Sequence, residues 1–148
     1  MVGIKRLQIS DLELARKLIH LFQTEEDMGP PTYASKERLL ELLSDSSFYM
    51  IAAFQDGTLV GGLTAYVLRM YKDDIAKILL YEIEVQQDWR RQGLGTLLIN
   101  RLKEYARQEG ASKILIPVTS TNQNAINFYN SLQNNITTDD ILISVSIA

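Results

Sequence analysis

Apolar residues follow helical spacing in four stretches of the chain and gather in short β-rich runs between them. The helical spacing predicts helices at 11–24, after Ser35, at 94–109 and at 125–132. Runs rich in β-branched and aromatic residues predict strands at 3–7, 48–54, 59–68, 78–85, 113–118 and 141–147. A hairpin followed by alternating strands and helices predicts a mixed α/β sheet in one domain over residues 1–148.

Local signals add detail to three of these elements. The dipeptide Asp-Gly at 56–57 lies between two apolar runs, which is typical of a tight hairpin turn. Gly61 and Gly62, inside the second of these runs, indicate a bulge or the close approach of another backbone. Ser10, with Glu13 three residues later, predicts a capping box at the start of the first helix.

Composition narrows the classes of function. The chain has 148 residues, of which 46% are hydrophobic, so it is long enough to bury a core. It contains no cysteine, which excludes disulfides, thiolate zinc sites and a cysteine nucleophile. The single histidine, His20, lies in an apolar helical run, where a partly buried surface position is a simpler interpretation than metal ligation. We therefore expect no metal site.

Charge and hydropathy bear on partners and location. The net charge is −3, and the basic residues form no patch interleaved with aromatic residues, so nucleic acid is not expected as a partner. No stretch is long and apolar enough to span a bilayer, and the N-terminus lacks the pattern of a signal peptide. We expect a cytoplasmic protein without membrane contacts.

A basic, glycine-containing loop joins the strand at 78–85 to the helix at 94–109. It reads Arg90-Arg-Gln-Gly-Leu-Gly-Thr96. Backbone N–H groups at a helix start bind anions, because they are unpaired and lie at the positive end of the helix dipole. Gly93 and Gly95 lack the Cβ atoms that would hold a phosphate away, and Arg91 adds charge beside Arg90. The loop is therefore predicted to bind a pyrophosphate.

The glycine spacing excludes two common kinds of phosphate site. No segment has the P-loop pattern G-x-x-x-x-G-K-[ST]. The dinucleotide fingerprint would require a third glycine at position 98, and the residue there is Leu98. The pattern that remains is R-x-x-G-x-G, from Arg90 to Gly95, between a strand and a helix.

A second motif, N-x-x-A-x-x-x-Y, lies further along the chain at Asn122, Ala125 and Tyr129. Together with R-x-x-G-x-G between a strand and a helix, it resembles the acetyl-coenzyme A (acetyl-CoA) site of the GNAT N-acetyltransferase superfamily. The chain further resembles the bacterial aminoglycoside 3-N-acetyltransferases of type I at 64–68, 81–85, 90–93, 98–103 and 110–111. After Leu132 it departs from the superfamily, which usually has a glycine and an aromatic residue there.

The resemblance implies a GNAT fold, with a mostly antiparallel central sheet flanked by about four helices, and acetyl-CoA as cosubstrate. Tyr129 would protonate the departing thiolate, and packing beside Phe128 is the alternative interpretation of this side chain. Asn122 would hydrogen-bond the pantetheine arm, and helix capping is the alternative. The residues implied to bind the cofactor are Ile83, Val85, Arg90, Arg91, Gln92, Gly93, Leu94, Gly95, Thr96, Asn122, Ala125 and Tyr129.

Two carboxylates lie on the predicted strand before the loop. Glu82 and Glu84 are two residues apart, so both side chains face the same side of the strand. Acetyl transfer to an amine requires a group that accepts the ammonium proton, directly or through water. Glu82 is the candidate base, because it holds the acidic position after the tyrosine in the resembling family. Glu84 is the second candidate, or it holds the substrate ammonium; the alternative is that both are ordinary surface carboxylates.

Further acidic residues would suit a polycationic acceptor. They lie in two predicted loops, at Glu25, Glu26 and Asp27 and at Asp73 and Asp74. A solvated turn is the alternative interpretation of the first loop. The residues assigned to the substrate are Glu25, Asp27, Tyr66, Asp73, Glu82 and Glu84.

These patterns together predict an enzyme that moves acetyl from acetyl-CoA to a primary amine, with the 3-amino group of an aminoglycoside as the preferred acceptor. Direct transfer in a ternary complex is expected, since no cysteine is present to carry the acetyl group. The alternative acceptor is another small amine, a polyamine or a peptide amine. The alternative function is a non-catalytic acyl-CoA binding module. The resemblance also implies a homodimer and a role in antibiotic resistance.

Overall fold

The computed structural model describes residues 1–25, 29–30 and 32–148, in two compact units, Met1–Leu115 and Ile116–Ala148. Two of the acidic residues assigned to the first loop, Glu26 and Asp27, lie outside the described residues. A single domain over residues 1–148 stays a prediction.

The first unit contains a five-stranded sheet, and its strands are β1 (Val2–Arg6), β2 (Phe48–Gln55), β3 (Thr58–Arg69), β4 (Ala76–Val85) and β5 (Ala111–Leu115). Their order in the sheet is β1-β2-β3-β4-β5. Strands β1 to β4 pair antiparallel, and β5 pairs parallel to β4. This confirms the mixed, mostly antiparallel sheet. The β2–β3 hairpin turns at Asp56 and Gly57, whose φ angles of 50° and 84° suit a two-residue turn.

Helices cover both faces of this sheet. The first unit contains α1 (Leu12–Glu25), α2 (Lys36–Ser44) and α3 (Leu94–Gln108). Neighbouring residues of a strand point to opposite faces, and β2 serves both sides in this way. Met50 and Ala52 share a buried cluster with Leu18 of α1. On the other face Tyr49 stacks on Tyr105 of α3, with ring centroids 5.2 Å apart. No helix within the described ranges is long and apolar enough to cross a membrane.

The two glycines of β3 lie where other atoms come close, as predicted. A Cβ atom on Gly61 would lie 2.6 Å from the carbonyl oxygen of Glu84 in β4. A Cβ atom on Gly62 would lie 2.6 Å from the carbonyl oxygen of Ile51 and equally close to the side chain of Leu18. Glycine is therefore required here for β3 to pack against both its neighbouring strands and α1.

The predicted helix starts are confirmed in one case and wrong in another. Ser35 caps α2, since its Oγ accepts the N–H of Arg38 at 3.1 Å. The capping box at Ser10 is wrong, because Ser10 lies inside a 3₁₀ turn, Ile9–Asp11, that precedes α1. The carboxylate of Asp11 closes this turn instead, by accepting the N–H of Gln8 at 2.8 Å.

The elements after α3 differ from the prediction at the C-terminus. In the second unit α4 (Gln123–Asn130) forms the predicted short helix. The strand predicted at 141–147 is wrong, because all seven residues are described and none of them is in a strand. Its apolar side chains, such as Ile141 and Ile147, are 81% and 101% exposed. Residues with high β-propensity favour a pleated, half-buried surface. They form a strand only where the chain can also pair with a neighbouring strand.

Asp11 supports a first prediction, on stability and its pH dependence. Its carboxylate also accepts a hydrogen bond from Nζ of Lys5 at 2.8 Å, and its side chain is only 9% exposed. The bond from Lys5 holds the pKa of Asp11 below its ordinary value, although burial opposes the shift. We expect Asp11→Asn to lower the free energy of unfolding at pH 7 by about 1–2 kcal/mol, because a charge-assisted pair is lost.

The lowered pKa of Asp11 also determines how its contribution to the free energy of unfolding changes with pH. A depressed folded-state pKa contributes stability above the unfolded value of about 4, and this contribution is lost as pH falls through the folded-state pKa. Denaturant unfolding at pH 7 and near pH 3 should therefore show a smaller difference between variant and wild type at the lower pH. The control is Glu13→Gln, which removes an exposed pair with Arg16 and should change stability little. An undiminished difference for Asp11→Asn at low pH would contradict the assignment.

Candidate functional site

A bulge in β4 decides where the two strand carboxylates point. Ala65 of β3 pairs with Leu80 of β4, whereas the preceding residue, Thr64, pairs with Glu82. Tyr81 is therefore an extra residue in β4 without a counterpart in β3. Its side chain is 68% exposed. The register beyond the bulge is regular, with Glu84 opposite Gly62.

The bulge moves Glu82 and Glu84 to the sheet face that α1 covers. Before it, alternate residues such as Ile78 and Leu80 are buried on the α3 face. Strict alternation would have placed both carboxylates on that same face. The extra residue reverses the alternation, so that Glu82 and Glu84 share the face of Thr64 and Gly62. Both carboxylates therefore lie on one side, as predicted, and that side is the one beneath α1.

A groove of about 270 Å³ opens on this face between α1, α2 and the sheet. Its walls are mostly apolar. The polar or aromatic residues that β3 and β4 contribute are Thr64, Tyr66, Tyr81 and Glu82, and the remaining lining residues are Ile19, Phe22, Gln23, Ala34, Leu39, Leu42, Leu43, Phe48 and Met50. A carboxylate in an otherwise apolar groove suits a ligand that has an ammonium group on an apolar body.

Tyr66, assigned to the substrate, contributes an aromatic wall beside Glu82. Its ring meets Tyr81 edge to face at 6.3 Å and lies 5.1 Å from Phe48. Burial raises the pKa of Tyr66, and the nearby Tyr81 and Glu82 add to the effect. The phenol is therefore neutral at pH 7. The paired rings also offer an ammonium group the negative face of an aromatic system.

Arg90 lies at the far end of β4 and contacts two of the predicted substrate carboxylates. Its Nη2 lies 2.9 Å from Oε2 of Glu25 and 3.6 Å from Oε2 of Glu84, and its Nε donates to the carbonyl of Val85 at 2.8 Å. Glu25 and Glu84, assigned as substrate ligands, are thus compensated by a cation of this chain. Sequence reasoning missed this contact, because Glu25 and Arg90 are far apart along the chain and no local pattern links them.

The predicted anion loop has the required backbone. Gly93 caps α3 with φ 82° and offers no side-chain acceptor to the first turn. The ladder of α3 begins with the N–H of Leu97, which donates to the carbonyl of Gly93 at 3.0 Å, so the N–H groups of Leu94, Gly95 and Thr96 precede it. Arg91 also has a positive φ of 63°, and left-handed residues within a turn can form a concave nest of backbone N–H groups. Leu94 is buried and anchors the loop, whereas Gln92 and Thr96 are exposed.

On one side, the backbone of β4 next to this loop has no paired strand among the described residues. β5 pairs with β4 only along Ala76–Leu79. From Leu80 to Val85, including Ile83, no strand of the described residues lies on the β5 side of β4. An extended chain with amide groups could hydrogen-bond this edge as an added strand does. This geometry supports the prediction that backbone groups near Val85 bind the pantetheine arm.

Asp73 is not brought to the same place as the other acidic residues. It lies in the loop before β4, where its Oδ1 accepts the N–H of Ile75 at 3.0 Å. Glu84 and Glu25 lie at the opposite end of β4, which at ten residues spans about 30 Å. The two acidic loops therefore lie at opposite ends of β4, and the assignment of Asp73 and Glu25 to the substrate stays a prediction.

The second motif lies in the second unit. Asn122 caps α4, since its Oδ1 accepts the N–H of Ala125 at 3.1 Å, so helix capping accounts for this side chain. Tyr129 is half-buried in α4, with its ring 5.3 Å from that of Phe128. Both alternatives considered for these residues, capping and aromatic packing, are thus realised. A role for either residue at the cofactor stays a prediction.

Comparison with known proteins supports the resemblance. The model of a family described as the acetyltransferase (GNAT) family matches residues 14–133. N-alpha-acetyltransferase 60 of Xenopus tropicalis is 29% identical over an alignment that covers 60% of this chain and 44% of that protein. The chain thus spans less than half the length of this curated relative.

Solved structures agree with the sheet and its helices. An aminoglycoside acetyltransferase from an uncultured soil metagenomic sample, in complex with sisomicin, superimposes with a TM-score of 0.94 at 26% identity, over 99% of this chain and 97% of that chain. An aminoglycoside antibiotic 6'-N-acetyltransferase of Acinetobacter baumannii has a TM-score of 0.78 at 18% identity over the whole of both chains. At that identity the second comparison shows the fold alone. The α/β fold implied by the resemblance is confirmed.

Proposed function

The chain belongs to the acetyltransferase (GNAT) family, and on this premise we propose that it moves acetyl from acetyl-CoA to a primary amine. The preferred acceptor is an aminoglycoside, at its 3-amino group; the similarity to an aminoglycoside acetyltransferase in complex with sisomicin supports an aminoglycoside. One observation supports the proposal most strongly: β4 contributes Glu82 to the groove beneath α1 and is followed, after a 3₁₀ turn at Gln87–Trp89, by the loop predicted to bind the pyrophosphate. We therefore expect donor and acceptor to bind next to each other along β4.

On the donor side, the loop nest and the start of α3 would hold the pyrophosphate, with Arg91 as the charged side chain. The open edge of β4 from Leu80 to Val85 would bind the amide groups of the pantetheine arm. Acetyl-CoA supplies an activated acyl group, whose thioester carbonyl is polarised by backbone N–H donors. These assignments depend on backbone geometry more than on side chains.

On the acceptor side, Glu82 takes a proton from the substrate ammonium, directly or through water, so that the neutral amine can attack the thioester carbon. The C–N bond forms and the C–S bond breaks. The leaving thiolate takes a proton that we assign to Tyr129, and the proton that the acetylated nitrogen then loses restores the phenol. Transfer is direct, because the chain has no cysteine to carry the acetyl group. Glu84 is the weaker candidate for the base, since it is ion-paired with Arg90.

A peptide amine is the second candidate acceptor, and the groove itself favours it. The lining is largely apolar, and the guanidinium of Arg90 compensates Glu25 and Glu84. Such a surface suits an acceptor with one ammonium group and an apolar body better than a polycation. The similarity to N-alpha-acetyltransferase 60 points the same way.

Release of free thiol from acetyl-CoA separates these possibilities. We would assay gentamicin, kanamycin, spermidine and a peptide with a free N-terminus at equal concentrations. Turnover on gentamicin but not on spermidine supports the aminoglycoside assignment, and turnover on the peptide alone replaces it with the second candidate. Measurable acetyl-CoA binding without turnover on any acceptor would indicate a non-catalytic binding module. A homodimer is a further proposal, which sedimentation analysis of the full chain tests.

A further inference from the structure

The guanidinium of Arg90 joins the ends of two elements that line different parts of the site. Glu25 is the last residue of α1, and Glu84 is the last but one of β4. Nη2 of Arg90 lies 2.9 Å from the first carboxylate and 3.6 Å from the second. The third contact, from Nε to the carbonyl of Val85 at 2.8 Å, fixes the plane of the guanidinium against β4.

The burial of this cluster, defined by Glu25, Glu84 and Arg90, distinguishes it from an ordinary surface ion pair. The side chains of Glu25 and Glu84 are only 17% and 21% exposed, and that of Arg90 is 45% exposed. Two carboxylates held this close around one cation would repel each other without it. The guanidinium faces both carboxylates with Nη2 while its Nε is held by the carbonyl of Val85, whereas a lysine ammonium is a single point charge that lacks this second, fixed donor.

We propose that Arg90 is a positioning residue for the acceptor side of the site and not a ligand of the donor phosphates. By holding the end of α1 against the end of β4, it fixes the helix whose residues Ile19, Phe22 and Gln23 line the groove next to Glu82. This inference rests on the proposed function for its kinetic readout. It replaces, as a proposal, the prediction that Arg90 and Arg91 act together on the pyrophosphate.

Arg91 provides the contrast. It is exposed, its backbone belongs to the loop nest, and it makes no ion pair within the part of the chain that the structure describes. A charge that is already shared between two carboxylates adds little attraction for a further anion, whereas an uncompensated charge adds more. The two neighbouring arginines should therefore have separable effects on donor and acceptor.

The test compares Arg90→Gln with Arg91→Gln, which remove the same charge from adjacent positions. We expect Arg90→Gln to raise KM for gentamicin about tenfold and to leave KM for acetyl-CoA within about twofold. The reason is that α1, which lines the groove, is no longer held against the end of β4. Arg91→Gln should do the reverse. Arg107→Gln, on the exposed last turn of α3, is the control for a lost surface arginine and should change neither constant. An increase in KM for acetyl-CoA with Arg90→Gln as large as that with Arg91→Gln overturns the proposal.

A second pair of variants keeps the proposal testable if Arg90→Gln folds poorly. Glu25→Gln should reproduce the increase in acceptor KM, and the double variant should be no worse than either single one, because both remove the same link. Additive effects would overturn the link. Arg90→Lys should give an intermediate KM for gentamicin, since the charge remains and the fork is lost.

Calorimetric titration with coenzyme A separates this inference from the proposed function. If the wild-type protein acetylates no amine, the proposed function fails, yet the affinity for coenzyme A still compares the two arginines. Unchanged affinity in Arg90→Gln beside weakened affinity in Arg91→Gln supports the assignment. Equal weakening in both variants overturns it.

Discussion

Replacing Glu82 with glutamine should lower kcat about a hundredfold at neutral pH while leaving the affinity for acetyl-CoA unchanged. The substitution keeps the size of the side chain and removes the group that accepts the ammonium proton. The bulge at Tyr81 places Glu82 in the groove with Tyr66 and Thr64, where a bound amine can reach it. Initial rates of thiol release with saturating acceptor provide the measurement.

The pH dependence and a neighbouring variant serve as controls for this result. The defect of Glu82→Gln should shrink as the assay moves from about pH 7 toward pH 9, because a larger fraction of the free amine is already deprotonated there. Glu84→Gln should have a smaller effect on kcat, since its carboxylate is paired with Arg90. Equal loss in both variants, or a rate unaffected by Glu82→Gln, would remove Glu82 from the mechanism.

Replacing Gly61 with alanine should destabilise the first unit by about 2–3 kcal/mol. The added Cβ would lie 2.6 Å from the carbonyl oxygen of Glu84 and 3.1 Å from Cα of Val85, both backbone atoms that cannot rotate away. Either β3 or β4 must shift, which has the cost of overpacking a dense core. Because Glu84 and Val85 also hold Arg90, activity should fall more than the folded fraction does.

Gly3→Ala is the matched control, since a Cβ atom on Gly3 in β1 meets nothing within 4 Å. Denaturant unfolding of both variants at the same pH gives the comparison. Similar stability for the two variants would mean that β3 and β4 separate at low cost, which would contradict the close approach at Gly61. Such a result would also weaken the view that the register near Glu82 is rigid.

Much of the fold follows from local patterns, because helical spacing and turn residues act over a few positions. The hairpin at Asp56 and Gly57 and the cap at Ser35 are of this kind. The strand predicted at 141–147 failed because pairing, unlike propensity, depends on a partner far along the chain.

The site was predictable only as far as its backbone. The spacing of glycines after β4 predicted a loop that binds a pyrophosphate. The structure gives Gly93 a positive φ in this loop, and binding itself stays a prediction. The sheet face on which Glu82 lies was not predictable. It depends on the bulge at Tyr81, which arises only when β3 and β4 pair. The ion pair between Arg90 and Glu25 was likewise not predictable, because Glu25 lies on α1 and meets Arg90 only in the folded chain.

The position of the acetyl group on a reacted aminoglycoside directly tests the proposed transfer to the 3-amino group. Gentamicin would be incubated with the full chain and acetyl-CoA carrying an isotope-labelled acetyl group, and the product analysed by NMR. We expect one new amide, at the 3-amino nitrogen, whose formation is strongly reduced in Glu82→Gln. A label at the 6' nitrogen would contradict the 3-amino assignment, and gentamicin recovered without any label would contradict aminoglycoside acetylation itself.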